Sequence, residues 1–185
     1  MTRNEAYALL NEFTKSESLI KHALAVEASM RHHATRLGED GEVWGITGLI
    51  HDFDYERWPK PPDHTREGAR ILRERGVNEE VIGAILSHAE WNQCDYPLDR
   101  PIRKTLFAVD ELSGFVTAVA YVRPEKLAGM SASSVRKKMK QKSFAAAVKR
   151  EDIEQGAALL NLPLDEHINH VIAAMQTVAG SLGFG

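Results

Sequence analysis

The stretch GLIHDFDYERWP, from Gly48 to Pro59, sets His51 and Asp52 side by side after an apolar run and just before a polar loop. Burying an ionisable pair is costly unless something neutralises it. The two available compensations are a hydrogen-bonded partner and a metal ion. Neither GLIHD nor the second carboxylate-bearing apolar stretch, FAVDELSG around Asp110, contains a Lys or Arg to serve as local counter-ion. The charge must be met by residues brought in from elsewhere, and that requirement organises the reading of the whole chain.

Outward from this stretch, helical periodicity dominates and no run alternates as a strand would. Thr2 with Glu5, and Thr14 with Glu17, match the capping box, predicting helices over 3–13 and 15–37, the second closed by Gly38. Further helices are expected over 42–52, from a cap at Asp63 to about Gly76, from a cap at Asn78 to about Glu90, and from Pro101 to about Val122. Three prolines in FDYERWPKPPD exclude a regular helix between residues 53 and 63. The stretches PEKLAG, SSVRKKMKQKSFAAAV, REDIEQGAALLN and DEHINHVIAAMQTVAGSL read as shorter helices with one closing amphipathic helix. The fold class is all-α, a single compact helical bundle over residues 1–185.

Composition narrows the function. A net charge of −3 over 185 residues argues against nucleic acid as the main partner. No apolar run approaches the roughly 20 residues of a membrane span, and the acidic residues of MTRNEAYALLNEF do not suit a signal peptide. The single Cys94 excludes an intrachain disulfide and fits a reducing compartment. These features predict a cytoplasmic protein with no membrane partner; oligomeric state is left open.

Of eight histidines, four sit at notable places on this helix map: His22, His51, His64 in DHTREGARIL, and His88 in VIGAILSHAEW. With Asp52 and Asp110 they come from five helices, each within or beside apolar sequence. Singly, each reads as a satisfied core or surface residue. Jointly, they are the side chains a bundle core collects into a metal site. Imidazole and carboxylate suit Mn, Fe, Co, Ni or Zn. Neighbours such as His51 and Asp52 diverge by about 100° on a helix, so they can share an ion only near a helix end.

The ordered set His22, His51-Asp52, His64, His88 and Asp110, with HTREGA and SHAEW around the later histidines, resembles the HD superfamily of metal-dependent phosphohydrolases, in particular its six-ligand, two-metal subset. The resemblance covers about residues 19–114, with helices over about 124–183 as the variable C-terminal part. It implies two divalent transition-metal ions, His22, His51, Asp52 and Asp110 holding the first, His64 and His88 the second, and Asp52 bridging. His51 and Asp52 would stand at the catalytic centre. The implied reaction is attack by metal-activated hydroxide on a phosphate ester of a small nucleotide or metabolite. Two alternatives go with it: a di-iron oxygenase, which the same six-ligand scaffold also resembles, and a regulatory or ligand-sensing domain that keeps its metals. Where many members of the superfamily continue HD with Ile-Gly, this chain has Phe53-Asp54, expected to alter the loop path or add charge near substrate. The absence of a GYP tripeptide argues against the cyclic-dinucleotide branch.

Substrate contacts are expected from Arg66 and from Lys138 and Lys142 in the basic run Arg136 to Lys142, against the plain reading of a solvated helix face. Trp58 and Trp91, in the two loops leaving the ligands, are candidates to stack on a ring or to cap the core. Glu67, three residues after His64, is a candidate to orient it. His32, His33, His167 and His170 are assigned to structure or surface, since nothing nearby in sequence completes a site around the His167/His170 pair.

Overall fold

The computed structural model describes residues 1–185 and resolves the helical periodicity into nine helices with no strand: α1 (Arg3–Phe13), α2 (Glu17–Leu37), α3 (Gly41–Ile50), α4 (Asp63–Glu74), α5 (Glu79–His88), α6 (Pro101–Tyr121), α7 (Ala132–Met139), α8 (Arg150–Leu159) and α9 (Leu164–Thr177). None is long and apolar enough to cross a membrane. The Thr2–Glu5 capping box forms, with the Thr2 hydroxyl accepting from the Glu5 N–H at 3.3 Å and Glu5 Oε2 accepting from the Thr2 N–H at 2.7 Å. Gly38 closes α2 at φ 73°, the left-handed turn that glycine adopts without steric cost.

Three local expectations need correcting. Thr14 does not cap α2; its hydroxyl donates to the Phe53 carbonyl at 3.0 Å, tying α1 to the loop after α3. Ser16 stands at the cap position instead, and Glu56 accepts from the backbone N–H groups of Lys15 and Ser16. Asp63 does not cap α4, because His64 (ψ 136°) and Thr65 (φ 67°) interrupt the helix at its start. PEKLAG forms turns rather than a helix.

The residues that build α3 also decide where the site lies. Asp40 accepts from the N–H groups of Glu42 and Val43 and opens the helix. At Gly48, a Cβ would meet the Val26 carbonyl oxygen at 2.9 Å, so only glycine lets α3 lie this close to α2. That approach delivers His51 beside His22, with ring centroids 5.2 Å apart. Two hydrophobic clusters flank the seam. The larger gathers α6 and α9 with the later part of α2, from Ala25 onward, whereas the smaller joins α1, α3, α4 and α5. Phe53 anchors the loop in the smaller one, fully buried and edge-on to Phe13 at 5.2 Å. Burying such a side chain contributes about 2–3 kcal/mol. The C-terminal helices pack on this frame, α8 against α6 and α9 against α2.

Candidate metal centre

The structure brings His22, His51, Asp52, His64, His88 and Asp110 together. Donor atoms of His22, His51 and Asp52 lie within 4.8 Å of one another, as do those of Asp52, His64 and His88, so Asp52 belongs to both trios. Asp110 Oδ1 joins the first trio, 3.0 Å from His22 Nε2 and 3.4 Å from His51 Nε2. Helix α3 ends at Ile50, and the turn that follows frees the Asp52 carboxylate to stand between both groups.

Three of the imidazoles are wired alike. His51 Nδ1–H donates to the Gly48 carbonyl at 2.8 Å, and His88 Nδ1–H to the Ile85 carbonyl at 2.6 Å. His64 Nδ1 faces Asp54 Oδ1 at 3.1 Å. Each therefore spends Nδ1 on an oxygen outside the site and turns Nε2 inward, the arrangement that second-shell acceptors impose on metal-binding histidines. The Nε2 atoms of His64 and His88 both approach Asp52 Oδ1 to 3.2 Å. Yet Asp52 Oδ1 and His51 Nε2 are buried and have no hydrogen-bond partner. Lone pairs on nitrogen and carboxylate oxygen repel at such distances unless something positive lies between them. Hard-to-borderline divalent cations fit this donor set of four imidazoles and two carboxylates.

The electrostatics show the same need for positive charge. Burial alone would lower His64, but the Asp52 and Asp54 carboxylates override it and push the imidazole up to about 10. Burial likewise opposes, and the neighbouring carboxylates outweigh it in raising, His51 and His88. Burial would raise Asp52, but the imidazoles of His51, His64 and His88 hold it well below the ordinary carboxylate range. Asp110 is lowered in the same way by His51 and His22.

Asp54, whose role the sequence leaves open, turns out to be a buried fixture. It is 1% exposed, and its Oδ2 accepts from the N–H groups of Thr65 (2.8 Å) and Gly68 (2.9 Å) while Oδ1 meets His64. One carboxylate thus caps α4 from another loop and orients His64. It also holds Thr65 at a φ that costs a non-glycine residue about 1–3 kcal/mol. Glu67 does not orient His64; it pairs with Arg70 on the solvent side.

Five of the six border a cavity of about 650 Å³, and His51 lies fully buried behind them. Of the substrate candidates, Lys138 and Lys142 do not line it: Lys138 Nζ lies over the Phe144 ring, and Lys142 is exposed in the turn after α7. Arg66 is turned to Asn92 Oδ1 at 3.0 Å, bracing the loop that carries Asn92. Trp58 packs toward Phe13 and caps the core. The lining cation is Lys149, at the N-cap of α8, and the lining indole is Trp91, its ring 5.9 Å from His64. Lys149 was missed because the run Arg136 to Lys142 is the conspicuous charge signal, whereas a lone lysine before REDIEQ carries none. Glu111 and Asp152 complete the wall, and burial, then Asp110, hold the Glu111 carboxyl up at about 7.

A family model described as HD domain matches residues 19–114, slightly more than half of the chain. No curated protein and no solved structure matches the chain significantly.

Proposed function

The chain belongs to the HD domain family, and on that premise we propose that it is a metal-dependent phosphohydrolase acting on a phosphate ester of a small nucleotide or metabolite. The observation that carries this reading is the inward-facing set of Nε2 atoms around a buried, unpartnered Asp52 Oδ1. In it, His22, His51, Asp52 and Asp110 hold one divalent ion, His64 and His88 the second, and Asp52 bridges, with His51 and Asp52 at the reacting centre. Bound divalent ions lower the pKa of water and oppose the negative charge that develops at phosphorus. The chain's own residues do the rest. Asp54 keeps the His64 Nδ1 proton outward. Lys149 offers an ammonium to a phosphate oxygen, and Trp91 offers a face to a ring. A cavity of about 650 Å³ suits a small molecule. We further propose that residues 1–185 act as one HD-type domain, since α8 supplies Asp152 and Gln155 to the same wall.

Elemental analysis of protein purified without a chelating tag, followed by a phosphate-ester panel, tests the reading. About two transition-metal equivalents per chain and release of inorganic phosphate, unchanged under argon, are expected. Turnover that stops under argon, with iron bound, would replace it by the oxygenase alternative. No metal uptake after reconstitution would refute it.

A further inference from the structure

The four histidines outside the candidate centre are also gathered. His32 and His33 on α2 meet His167 and His170 on α9, more than 130 residues later in the chain. His33 lies at the hub, its ring centroid 5.8 Å from His32, 5.8 Å from His167 and 5.7 Å from His170. His33 and His167 are buried, and each leaves one ring nitrogen without a partner. At the rim, His32 Nε2 and His170 Nδ1 approach to 3.0 Å. The other nitrogen of His170, Nε2, faces Glu166 Oε1 at 3.4 Å, and Arg36 balances that carboxylate at 3.6 Å.

The tautomers follow from these partners. A carboxylate can only accept, so His170 carries its proton on Nε2 and presents the Nδ1 lone pair to His32. His32 at present donates its Nε2 proton into that lone pair. Moving that proton to His32 Nδ1 leaves two lone pairs converging on one point, with no proton lost to solvent. The Glu166–His170 contact is then the carboxylate–histidine arrangement that orients a metal-binding imidazole. Two ligands on a tetrahedral ion at the usual metal–nitrogen distance stand about 3.3–3.4 Å apart, so the pair need open by only a few tenths of an ångström. Solvent reaches the place because His32 also lines a separate cavity of about 380 Å³ between α2 and α9.

We propose that His32 and His170 form a second transition-metal site, distinct from the candidate centre, that bridges α2 and α9. Nitrogen donors without a direct carboxylate favour the imidazole-binding metals, Zn, Cu(II) and Ni, over Mg, Ca and Mn. The remaining coordination positions open to water at the cavity, with His33 the nearest further imidazole. Because α9 closes the bundle, an ion here fastens the last helix to the one that carries His22.

The test is a ZnCl₂ titration of the full-length ¹⁵N-labelled chain at pH 7, reading both ring nitrogens of all eight histidines. His32 Nε2 and His170 Nδ1 should move to metal-bound shifts in a step separate from any response of His22, His51, His64 and His88. His32→Gln and His170→Gln, both at half-exposed positions, should each raise the dissociation constant of that step at least about tenfold and leave the other step in place. Shifts confined to the first four histidines, or an unchanged step in both variants, would overturn the proposal. Should His32 and His170 respond while the first four stay silent, this site stands and the reading of the candidate centre fails.

Discussion

His22, His51, His64 and His88 gather around two carboxylates beside an open cavity, whereas His32, His33, His167 and His170 gather with only Glu166 as a carboxylate at their rim. The same side chain is driven in opposite directions. At His51, His64 and His88 burial is outweighed by Asp52, Asp54 and Asp110, and His64 rises to about 10. In the second nothing outweighs burial, so His33 falls to about 3 and His167 to about 4, with neighbouring imidazoles and Arg36 adding to the fall. The candidate centre calls for positive charge, whereas His33 and His167 reject protons. A histidine's chemistry is set by which oxygens the fold delivers to it.

The largest effect should come from erasing that difference. Asp52→Ala leaves the first group without its shared oxygen and should reduce metal affinity and turnover more than about a hundredfold. Metal content and phosphate release together check this, and retention of both would sink the site as drawn.

Acid sharpens the contrast. His33 and His167 titrate below their unfolded value of about 6.5, so the folded chain binds fewer protons than the unfolded one. Their contribution is complete above pH 6.5 and is lost as pH falls toward 4 and then 3. By pH 4.5 each should cost about 2–3 kcal/mol, which is large against total stability. His64 has the opposite sign: its stabilisation is present below about 6.5 and fades as pH rises through 10. Urea unfolding across pH should show the acid loss in wild type and a shallower one in His167→Gln. Equal slopes in the two proteins would contradict the assignment.

Asp54→Asn probes the wiring of a single imidazole. An amide can still accept from Thr65 and Gly68, but its NH₂ then faces His64 Nδ1, forcing the proton onto Nε2, the inward nitrogen. Metal affinity should drop about 10–100-fold with little loss of helix content. Calorimetric titration that matches wild type would remove Asp54 from this role. Smallest is Gly68→Ala, whose Cβ would stand 2.8 Å from Asp54 Oδ2 and 3.2 Å from Phe53 Cε1. Thermal unfolding should report a loss of about 1–3 kcal/mol.

These cases also show what can be read from letters alone. The all-α class and the convergence of His22, His51, Asp52, His64, His88 and Asp110 were legible because each sits at a helix end or on an apolar face at helical spacing. Asp54 was not, since its partners Thr65 and Gly68 lie across a proline-rich loop whose path no local rule gives. Thr14 looked like a cap, but its hydroxyl donates to the buried Phe53 carbonyl instead of accepting from the first-turn N–H groups of α2. The second histidine group was invisible because it exists only through the docking of α9 on α2. Lys138 and Lys142 drew attention by density, but neither lines the cavity: Lys138 on α7 lies over the Phe144 ring, and Lys142 is exposed in the turn that follows.

One helix, α2, contributes to both groups. His22 and His32 are ten residues apart on α2, about 15 Å along its axis. Substituting residues between them changes packing, but inserting or deleting one turns everything beyond it by about 100°. Such a change would put one group or the other out of phase with its partners. Anyone shuffling segments of this chain must keep Phe53, Asp54 and Glu56 in the loop after α3, and between His22 and His32 must also keep the count.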